Sequence, residues 1–356
     1  MLMTPGPTAV PEPVRDAMSR ELINPDVDPE FQRIYERLTD RLVTVYGIDT
    51  ADSNHDIVVP GGEGILGLEA AIASLVEPET EVLCLSNGLY GDGFANFVEQ
   101  YGGEATRISA DYDEPLPLAA LERVLTDSDT EFDVATMVHC ETPTGTLNDI
   151  GPALDLLNEA GVLTVVDAVS SLGGTPVPTD RIDICLGASQ KCFSAPPGLT
   201  TAAISDRAWA AMTERDPHSL YTNFLPWRDT DEGFPYTHLT TNVVALDEAL
   251  SLLLTEGLDE AYARHEAAAE RCRKRGAELG LEPYPSVDRS APTVTAFRVS
   301  GRAGDLQRAL HEDHDVLVAT GLADLADDVL RIGHMGHAAR LDRVDATMDA
   351  LAAVSE

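Results

Sequence analysis

Short apolar segments alternate with segments of helical period, and this alternation limits the possible folds more than any other feature of the chain. The apolar segments predict strands at Ile57–Val59, Val82–Leu85, Ala105–Ile108, Val134–Val138, Val162–Val166, Ile182–Leu186 and Thr200–Ile204. Between them, helices are predicted at Ile65–Leu75, Phe94–Tyr101, Leu118–Leu125 and Ala153–Ala160. Strands separated by helices are typical of βαβ units. The pattern therefore predicts an α/β fold with a large, mostly parallel sheet.

The two ends of the chain follow other patterns. Residues 1–30 are rich in proline and turn residues, which predicts an N-terminal arm, and such arms often cross onto a partner subunit. Helices are then predicted at Phe31–Tyr46, Val243–Leu254 and Leu258–Leu279. The last part predicts strands at Val294–Val299, Val316–Val318 and Val329–Ile332, and a helix at Leu341–Val354. We therefore expect an arm (1–30), a large domain (31–282) and a small α+β domain (283–356).

The charge balance narrows the class of protein. The chain has 61 acidic and 24 basic residues, for a net charge of −37, and the acids are spread along its length. With 44% hydrophobic residues, disorder is disfavoured. Nucleic-acid binding is disfavoured as well, and we expect a folded enzyme adapted to high salt, where charge repulsion is screened. The chain contains no apolar run of the length of a membrane span and no signal-peptide pattern, so a cytoplasmic protein is predicted.

Lysine is nearly absent from this chain. Only Lys191 and Lys274 occur, and Lys274 lies in a run of arginines typical of a solvated helix face. Lys191 instead follows the apolar segment Ile182–Leu186 and precedes the small apolar residues around Ala195. A desolvated ammonium has a lowered pKa, and its amine becomes a nucleophile toward carbonyls. Lys191 is therefore predicted to form a Schiff base; the alternative is a surface loop lysine.

Asp167 ends a predicted buried strand, 24 residues before Lys191. A carboxylate in that place needs a cationic or proton-donating partner, and a pyridinium nitrogen is such a partner. A helix-capping aspartate is the alternative.

Two glycine-rich turns lead from strands into helices. Tyr90 lies in the first, where its ring could stack on a planar ligand. In the second, Gly61 to Gly64 could form an anion cradle of backbone N–H groups, but Glu63 lies within it. Its carboxylate either caps the helix or faces the ligand.

Further polar residues follow the other strands. Glu141 and Thr142 come after Val134–Val138 and are expected at the same sheet edge. Arg331 directly follows apolar residues and is predicted to bind a carboxylate, with a salt bridge at the rim as the alternative. His139 and His334 are interpreted as structural. The five cysteines form no C-x-x-C pair and are interpreted as buried thiols, without zinc or disulfides.

These segments together resemble the class V pyridoxal-phosphate aminotransferases, the branch with alanine–glyoxylate and serine–pyruvate enzymes. The resemblance covers essentially the whole chain, including Gly6-Pro7, and is carried by Asp167-Ala168-Val169-Ser170, Glu141-Thr142-Pro143-Thr144-Gly145, Ser189-Gln190-Lys191 and Arg331-Ile332-Gly333. It implies fold type I, like aspartate aminotransferase, in a dimer or dimer of dimers with shared active sites.

The resemblance also implies a role for each matching residue. Lys191 would carry the cofactor and move the proton, and Asp167 would pair with the pyridine nitrogen. Gly6 and Arg331 would bind substrate. The cofactor pyridoxal 5′-phosphate would be held by Tyr90, Glu63, Gly64, Thr142, Gln190 and, from the neighbouring subunit, Thr237.

One sub-branch matches more closely, that of pyridoxamine–pyruvate aminotransferase, in which unphosphorylated pyridoxamine or pyridoxal is itself a substrate. Phosphate-using members usually have a hydroxyl residue at the position of Glu63, and a carboxylate repels a phosphate dianion. The chain departs from the sub-branch at Leu322, where a second carboxylate-binding arginine is expected.

The expected function is amino transfer between a small amino acid of the alanine or serine type and pyruvate or glyoxylate. Pyridoxamine as the amino substrate is the alternative. A lyase or cysteine desulfurase of the same fold is less favoured, because Gln190 precedes the lysine and no loop cysteine is evident. A silent binding protein would not need Asp167, Lys191 and Arg331 together.

Overall fold

The computed structural model describes residues 1–21, 23–48, 54–230 and 233–355. Its strands are β1 His55–Val58, β2 Glu81–Ser86, β3 Glu104–Ser109, β4 Val134–Val138, β5 Cys140–Glu141, β6 Thr146–Leu147, β7 Leu163–Asp167, β8 Ile184–Ala188, β9 Thr200–Ser205, β10 Glu282–Pro283, β11 Thr295–Arg298, β12 Ala319–Thr320 and β13 Val329–Ile332. Its α-helices are α1 Glu12–Met18, α2 Pro29–Val45, α3 Gly64–Leu75, α4 Leu89–Gln100, α5 Leu118–Asp127, α6 Gly151–Glu159, α7 Asp206–Arg215, α8 Thr240–Glu256, α9 Leu258–Glu278, α10 Ala303–His314 and α11 Leu341–Ser355.

The large sheet has seven strands in the order β1-β9-β8-β7-β4-β2-β3. The five strands from β8 to β3 run parallel, and β9 pairs antiparallel with both β8 and β1. Strands β4, β7 and β8 are buried along their whole length, as expected for parallel strands covered by helices on both faces. The prediction of a mostly parallel α/β sheet is confirmed.

A second, antiparallel sheet has the order β10-β11-β13-β12. It shares an apolar core with α10, α11 and the C-terminal half of α9, whose Ala268 and Cys272 are fully buried there. Helix α9 therefore connects the two cores physically, and the residue boundary at 282 between the domains stays a prediction.

The N-terminal arm binds to its own chain. The Met3 N–H donates to the Leu317 carbonyl at 2.8 Å, and the Gly333 N–H donates to the Met3 carbonyl at 2.7 Å. Five residues later, the Thr8 N–H donates to the Gln190 carbonyl at 3.0 Å. The first eight residues thus connect the small sheet to the segment that contains Lys191.

Several predicted elements were wrong or missing. The strand predicted at Val316–Val318 lies at Ala319–Thr320, because Leu317 uses its backbone to bind the arm. Helix α4 begins at Leu89, five residues before the predicted start, and helices α7 and α10 were not predicted. Within the described residues, every helix is too short or too polar to cross a lipid bilayer.

Candidate active site

A cavity of about 490 Å³ opens where the parallel strands end. Strands β2, β4, β7 and β8 run in the same direction, so the residues that follow them meet at one edge of the sheet. Eight of the ten predicted site residues line this cavity: Gly6, Glu63, Gly64, Tyr90, Thr142, Asp167, Gln190 and Lys191. The other two, Arg331 and Thr237, do not line it.

Lys191 lies in the turn after β8, and its amine faces the cavity. The Nζ atom donates a hydrogen bond of 2.7 Å to the Pro5 carbonyl of the arm. Burial lowers the pKa of Lys191, and nearby Asp167 opposes part of this change. The surroundings therefore favour the neutral, nucleophilic amine, as the apolar flanks of Lys191 predict.

Asp167 is the last residue of β7 and is 5% exposed. Its Oδ1 atom accepts a 2.8 Å hydrogen bond from the Val169 N–H, while Oδ2 has no protein partner in the described part of the chain. Burial raises the pKa of Asp167 to about 6. A buried carboxylate with one unpaired oxygen fits a ligand that brings a proton donor or a positive charge.

Tyr90 lies in the first turn of α4, and a second carboxylate supports that turn. Glu141 is fully buried and accepts hydrogen bonds from the Gly91 N–H at 2.8 Å and from the Tyr90 N–H at 3.2 Å. Burial raises the pKa of Glu141 to about 8, and these two N–H groups oppose the rise. The sequence placed Glu141 at this edge, but its contact with α4 could not be read from the sequence.

Glu63 occupies the N-cap position of α3, but its side chain makes no capping hydrogen bond. It faces the cavity and accepts a 3.4 Å hydrogen bond from Nε2 of Gln190. Within the described part of the chain, the Oε1 atom of Gln190 is buried without a hydrogen-bond partner. Of the two alternatives for Glu63, the structure favours the one in which its carboxylate faces the ligand. This end of the cavity therefore presents a carboxylate and one acceptor oxygen without a donor among the described residues.

Thr142 and Ser170 also line the cavity, and their hydroxyl groups are hydrogen-bonded to each other. Ser170 was part of the quoted Asp167–Ser170 segment but was not predicted as a site residue. Its position three residues after the strand-end Asp167 was the available signal.

Arg331 is 7% exposed, on β13. Its Nε atom donates to the Thr320 carbonyl at 2.6 Å, and its Nη1 atom donates to the Thr142 carbonyl at 3.4 Å. No ion pair of Arg331 occurs within the described residues, so the rim salt bridge is not the arrangement seen. A buried guanidinium beside the cavity wall, held only by carbonyls, suits an anionic ligand.

Thr237 does not line the cavity of its own chain. Its hydroxyl donates to Asp26 at 3.0 Å on an exposed face. Its predicted contact with a cofactor in the neighbouring subunit stays a prediction.

His334 and the five cysteines have no catalytic contact. His334 bonds to the Thr295 hydroxyl and the Pro292 carbonyl, and burial lowers its pKa to about 3. All five cysteines are buried, so none offers the exposed loop thiol that a desulfurase needs.

Replacing Gly6 with alanine should disturb Lys191 directly. A Cβ atom at Gly6 would lie 2.6–2.7 Å from Cδ, Cε and Nζ of Lys191, and its φ of +114° is unfavourable for alanine. We expect the catalytic rate to fall about 10- to 100-fold, because small misplacements of reacting groups are costly. Gly93→Ala is the matched control, since nothing lies within 4 Å of its added Cβ. Steady-state rates of both variants check this, and a fully active Gly6→Ala enzyme would contradict it.

Comparisons with known proteins point to one family. The sequence model of the family described as Aminotransferase class-V matches residues 1–340. The chain is 34% identical over 349 residues to pyridoxamine–pyruvate transaminase of Mesorhizobium japonicum, covering 95% of this chain and 87% of that protein. It is 29% identical over 366 residues to alanine–glyoxylate aminotransferase of Oryctolagus cuniculus, covering 99% and 91%. The crystal structure of pyridoxamine–pyruvate aminotransferase from Mesorhizobium loti superposes with a TM-score of 0.92 at 32% identity, covering 99% and 91%.

Proposed function

The chain belongs to the class V aminotransferases, a pyridoxal-phosphate-dependent family of fold type I, and from that premise we propose that it transfers an amino group between a small amino compound and pyruvate or glyoxylate. The observation that carries the proposal is the meeting of the Lys191 amine and the Asp167 carboxylate in one cavity, beside the buried Arg331.

The residues present fit a pyridine ring. The Oδ2 atom of Asp167, which has no partner among the described residues, would accept a hydrogen bond from the protonated ring nitrogen, and Tyr90 would cover one face of the ring. When bound, the ring supplies an electron sink that makes the Cα proton of an amino substrate acidic.

Lys191 would move the proton. Its lowered pKa favours the unprotonated amine, which would take a proton from the substrate Cα and return it to the C4′ atom of the ring. Arg331 would hold the substrate carboxylate, which fixes Cα near the amine. Gly6 allows the arm to approach Lys191 closely, because a side chain there would collide with it.

The groups that would face the 5′ position of the ring favour a particular amino substrate. Glu63 contributes a negative charge there, and Gln190 contributes an acceptor oxygen without a donor. A phosphate dianion brings charge and more acceptors, whereas a hydroxymethyl group brings one donor. We therefore favour unphosphorylated pyridoxamine as the amino compound, which agrees with the activity named for the relative from Mesorhizobium. Because Leu322 stands where a second carboxylate-binding arginine is expected, we propose that Arg331 binds the carboxylate of the oxo acid.

A trapping experiment separates the two versions of the function. The protein is incubated with pyridoxal or with pyridoxal 5′-phosphate, one half of each sample is reduced with borohydride for mass spectrometry, and the other half receives L-alanine. Release of pyridoxamine and pyruvate from the pyridoxal sample supports the vitamin as substrate. Retention of the phosphate form during turnover with alanine and glyoxylate supports the amino-acid version. No covalent adduct at Lys191 with either compound would refute both.

Replacing Glu63 with glutamine should shift the preference toward the phosphorylated ring. The change removes one negative charge from the cavity and keeps the shape of the side chain. We expect the ratio of dissociation constants, pyridoxal 5′-phosphate over pyridoxal, to fall about 10-fold, a value discounted for the exposure of Glu63. Glu77→Gln, an exposed change just beyond the other end of α3, should leave the ratio unchanged. An unchanged ratio in both variants would show that Glu63 does not select against phosphate.

We also propose a homodimer that shares its active sites. Exposed apolar side chains lie near the cavity mouth and in neighbouring segments, namely Ile65, Leu220, Tyr221 and Leu239. Burial of this surface by a second copy would bring Thr237, which lies two residues from Leu239, toward the partner's cavity. The net charge of −37 supports function at high salt, and a cytoplasmic location remains part of the proposal.

A further inference from the structure

A second cavity, of about 600 Å³, lies apart from the catalytic one and shares none of its lining residues. Its walls come from the start of α5, the link between β6 and α6, the segment 176–181 and the turn at 288–289. The proposed transamination uses none of these residues.

One wall contains a buried histidine with a free acceptor atom. His139 is 6% exposed and borders the cavity, and its Nδ1 atom lies 2.8 Å from the Ser171 hydroxyl. That hydroxyl also lies 3.1 Å from the Ala168 carbonyl, to which it can only donate, and in this arrangement it accepts from Nδ1–H. The Nε2 atom is then the unprotonated one, and it has no protein partner within the described residues. Burial lowers the pKa of His139 to about 4, so the ring stays neutral at pH 7.

Two arginines that border the same cavity have N–H groups that are not used in hydrogen bonds to the described residues. Arg181 uses Nη2 for the Gly151 carbonyl and for Asp155, and Arg289 uses Nε and Nη1 for Ser286 and Glu114. Their remaining N–H groups have no protein acceptor in the described part of the chain.

Acidic residues and helix ends complete the lining. Asp149 and Asp288 also border the cavity, but both are exposed, and Asp149 accepts from the Gly151 N–H at 3.3 Å. Helices α5 and α6 both begin at the wall, and neither N-cap residue makes a side-chain capping bond. Helix N-termini and guanidinium groups both favour a carboxylate.

We propose that this second cavity binds a small carboxylate that also carries a hydroxyl or amino donor. The carboxylate would lie against Arg181 and Arg289, and the donor would reach Nε2 of His139. The cavity volume is in the range of small-molecule sites.

The test uses L-lactate as the probe and propionate as its matched analogue without the hydroxyl group. Isothermal titration at fixed ionic strength should show a saturable lactate site with a dissociation constant in the range of about 1–10 mM. Propionate should bind about 5-fold more weakly, the effect of one hydrogen bond. Arg289→Gln should weaken lactate binding about 10-fold while the rate of transamination is unchanged.

The variants also separate this site from the catalytic cavity. If lactate binding weakens in Arg331→Gln but not in Arg289→Gln or Arg181→Gln, the probe binds at the catalytic site and the inference is wrong. Equal dissociation constants for lactate and propionate would show that His139 does not bind the hydroxyl group of the ligand. His139→Phe should abolish the preference for lactate. If that variant does not fold, the ratio of the dissociation constants of propionate and lactate in the unaltered protein still tests the role of His139. Absence of saturable lactate binding would overturn the inference, whatever reaction the enzyme catalyses.

Discussion

Replacing Lys191 with alanine should lower the rate of transamination by at least about 10²–10⁴-fold, the range for loss of a positioned acid–base group. The amine lies in the catalytic cavity with a lowered pKa, 2.7 Å from the Pro5 carbonyl. The variant should also lose the borohydride-trapped adduct with pyridoxal, since no other lysine lies in the cavity.

The chain supplies its own control for this change. Lys274 is the only other lysine and is exposed on α9. Lys274→Ala should keep the rate within about 2-fold and keep the adduct, because exposed substitutions rarely have larger effects. Steady-state rates and intact-protein mass spectra of the two variants decide the matter. A Lys191→Ala enzyme with full activity would remove the proposed function.

Replacing Asp167 with asparagine should abolish most activity and stabilise the ligand-free protein at the same time. An asparagine can still accept from the Val169 N–H, but it cannot hold a positively charged ring nitrogen. We expect the rate to fall at least about 100-fold, as for loss of one electrostatic contact to the reacting centre.

The stability effect has a definite dependence on pH. The pKa of Asp167 is raised from 3.8 to about 6 in the folded protein, so between these values the folded state binds more protons than the unfolded state. The free energy of unfolding contributed by this group therefore falls as the pH rises through that window. The variant lacks this loss and should be more stable by about 1–3 kcal/mol above pH 7, with the difference shrinking toward pH 4.

Chemical unfolding of both proteins at several pH values, without pyridoxal compounds, measures this difference. A variant less stable than the wild type above pH 7 would show that burial does not penalise the Asp167 carboxylate. Full activity in the variant would show that the Asp167 carboxylate does not hold the ring nitrogen.

The sheet and most of the site could be predicted because both follow from local patterns. Buried parallel strands appear as short apolar runs, and the residues directly after them must meet at one edge. The sequence alone therefore assigns Asp167, Lys191 and Thr142 to one edge of the sheet, and they do line one cavity.

The features that were missed depend on partners far away in the sequence. The shift of β12 to Ala319–Thr320 follows from the arm, which lies more than 300 residues earlier and uses the backbone of Leu317. Helix α4 starts early although Gly91 and Gly93 disfavour a helix, because the Glu141 carboxylate accepts from its first turn. The second cavity brings the turn at 288–289 near His139, which follows β4, and no local pattern connects these segments.

The arm also has a mechanical consequence. Met3 is hydrogen-bonded to the small sheet through Leu317 and Gly333, while the Pro5 carbonyl accepts from the Lys191 amine only two residues later. A rotation of the small sheet against the large one must therefore pull on that carbonyl or break the bonds of Met3. Any change in the position of the small sheet relative to Lys191 would therefore also change the hydrogen bond that the amine donates to the Pro5 carbonyl.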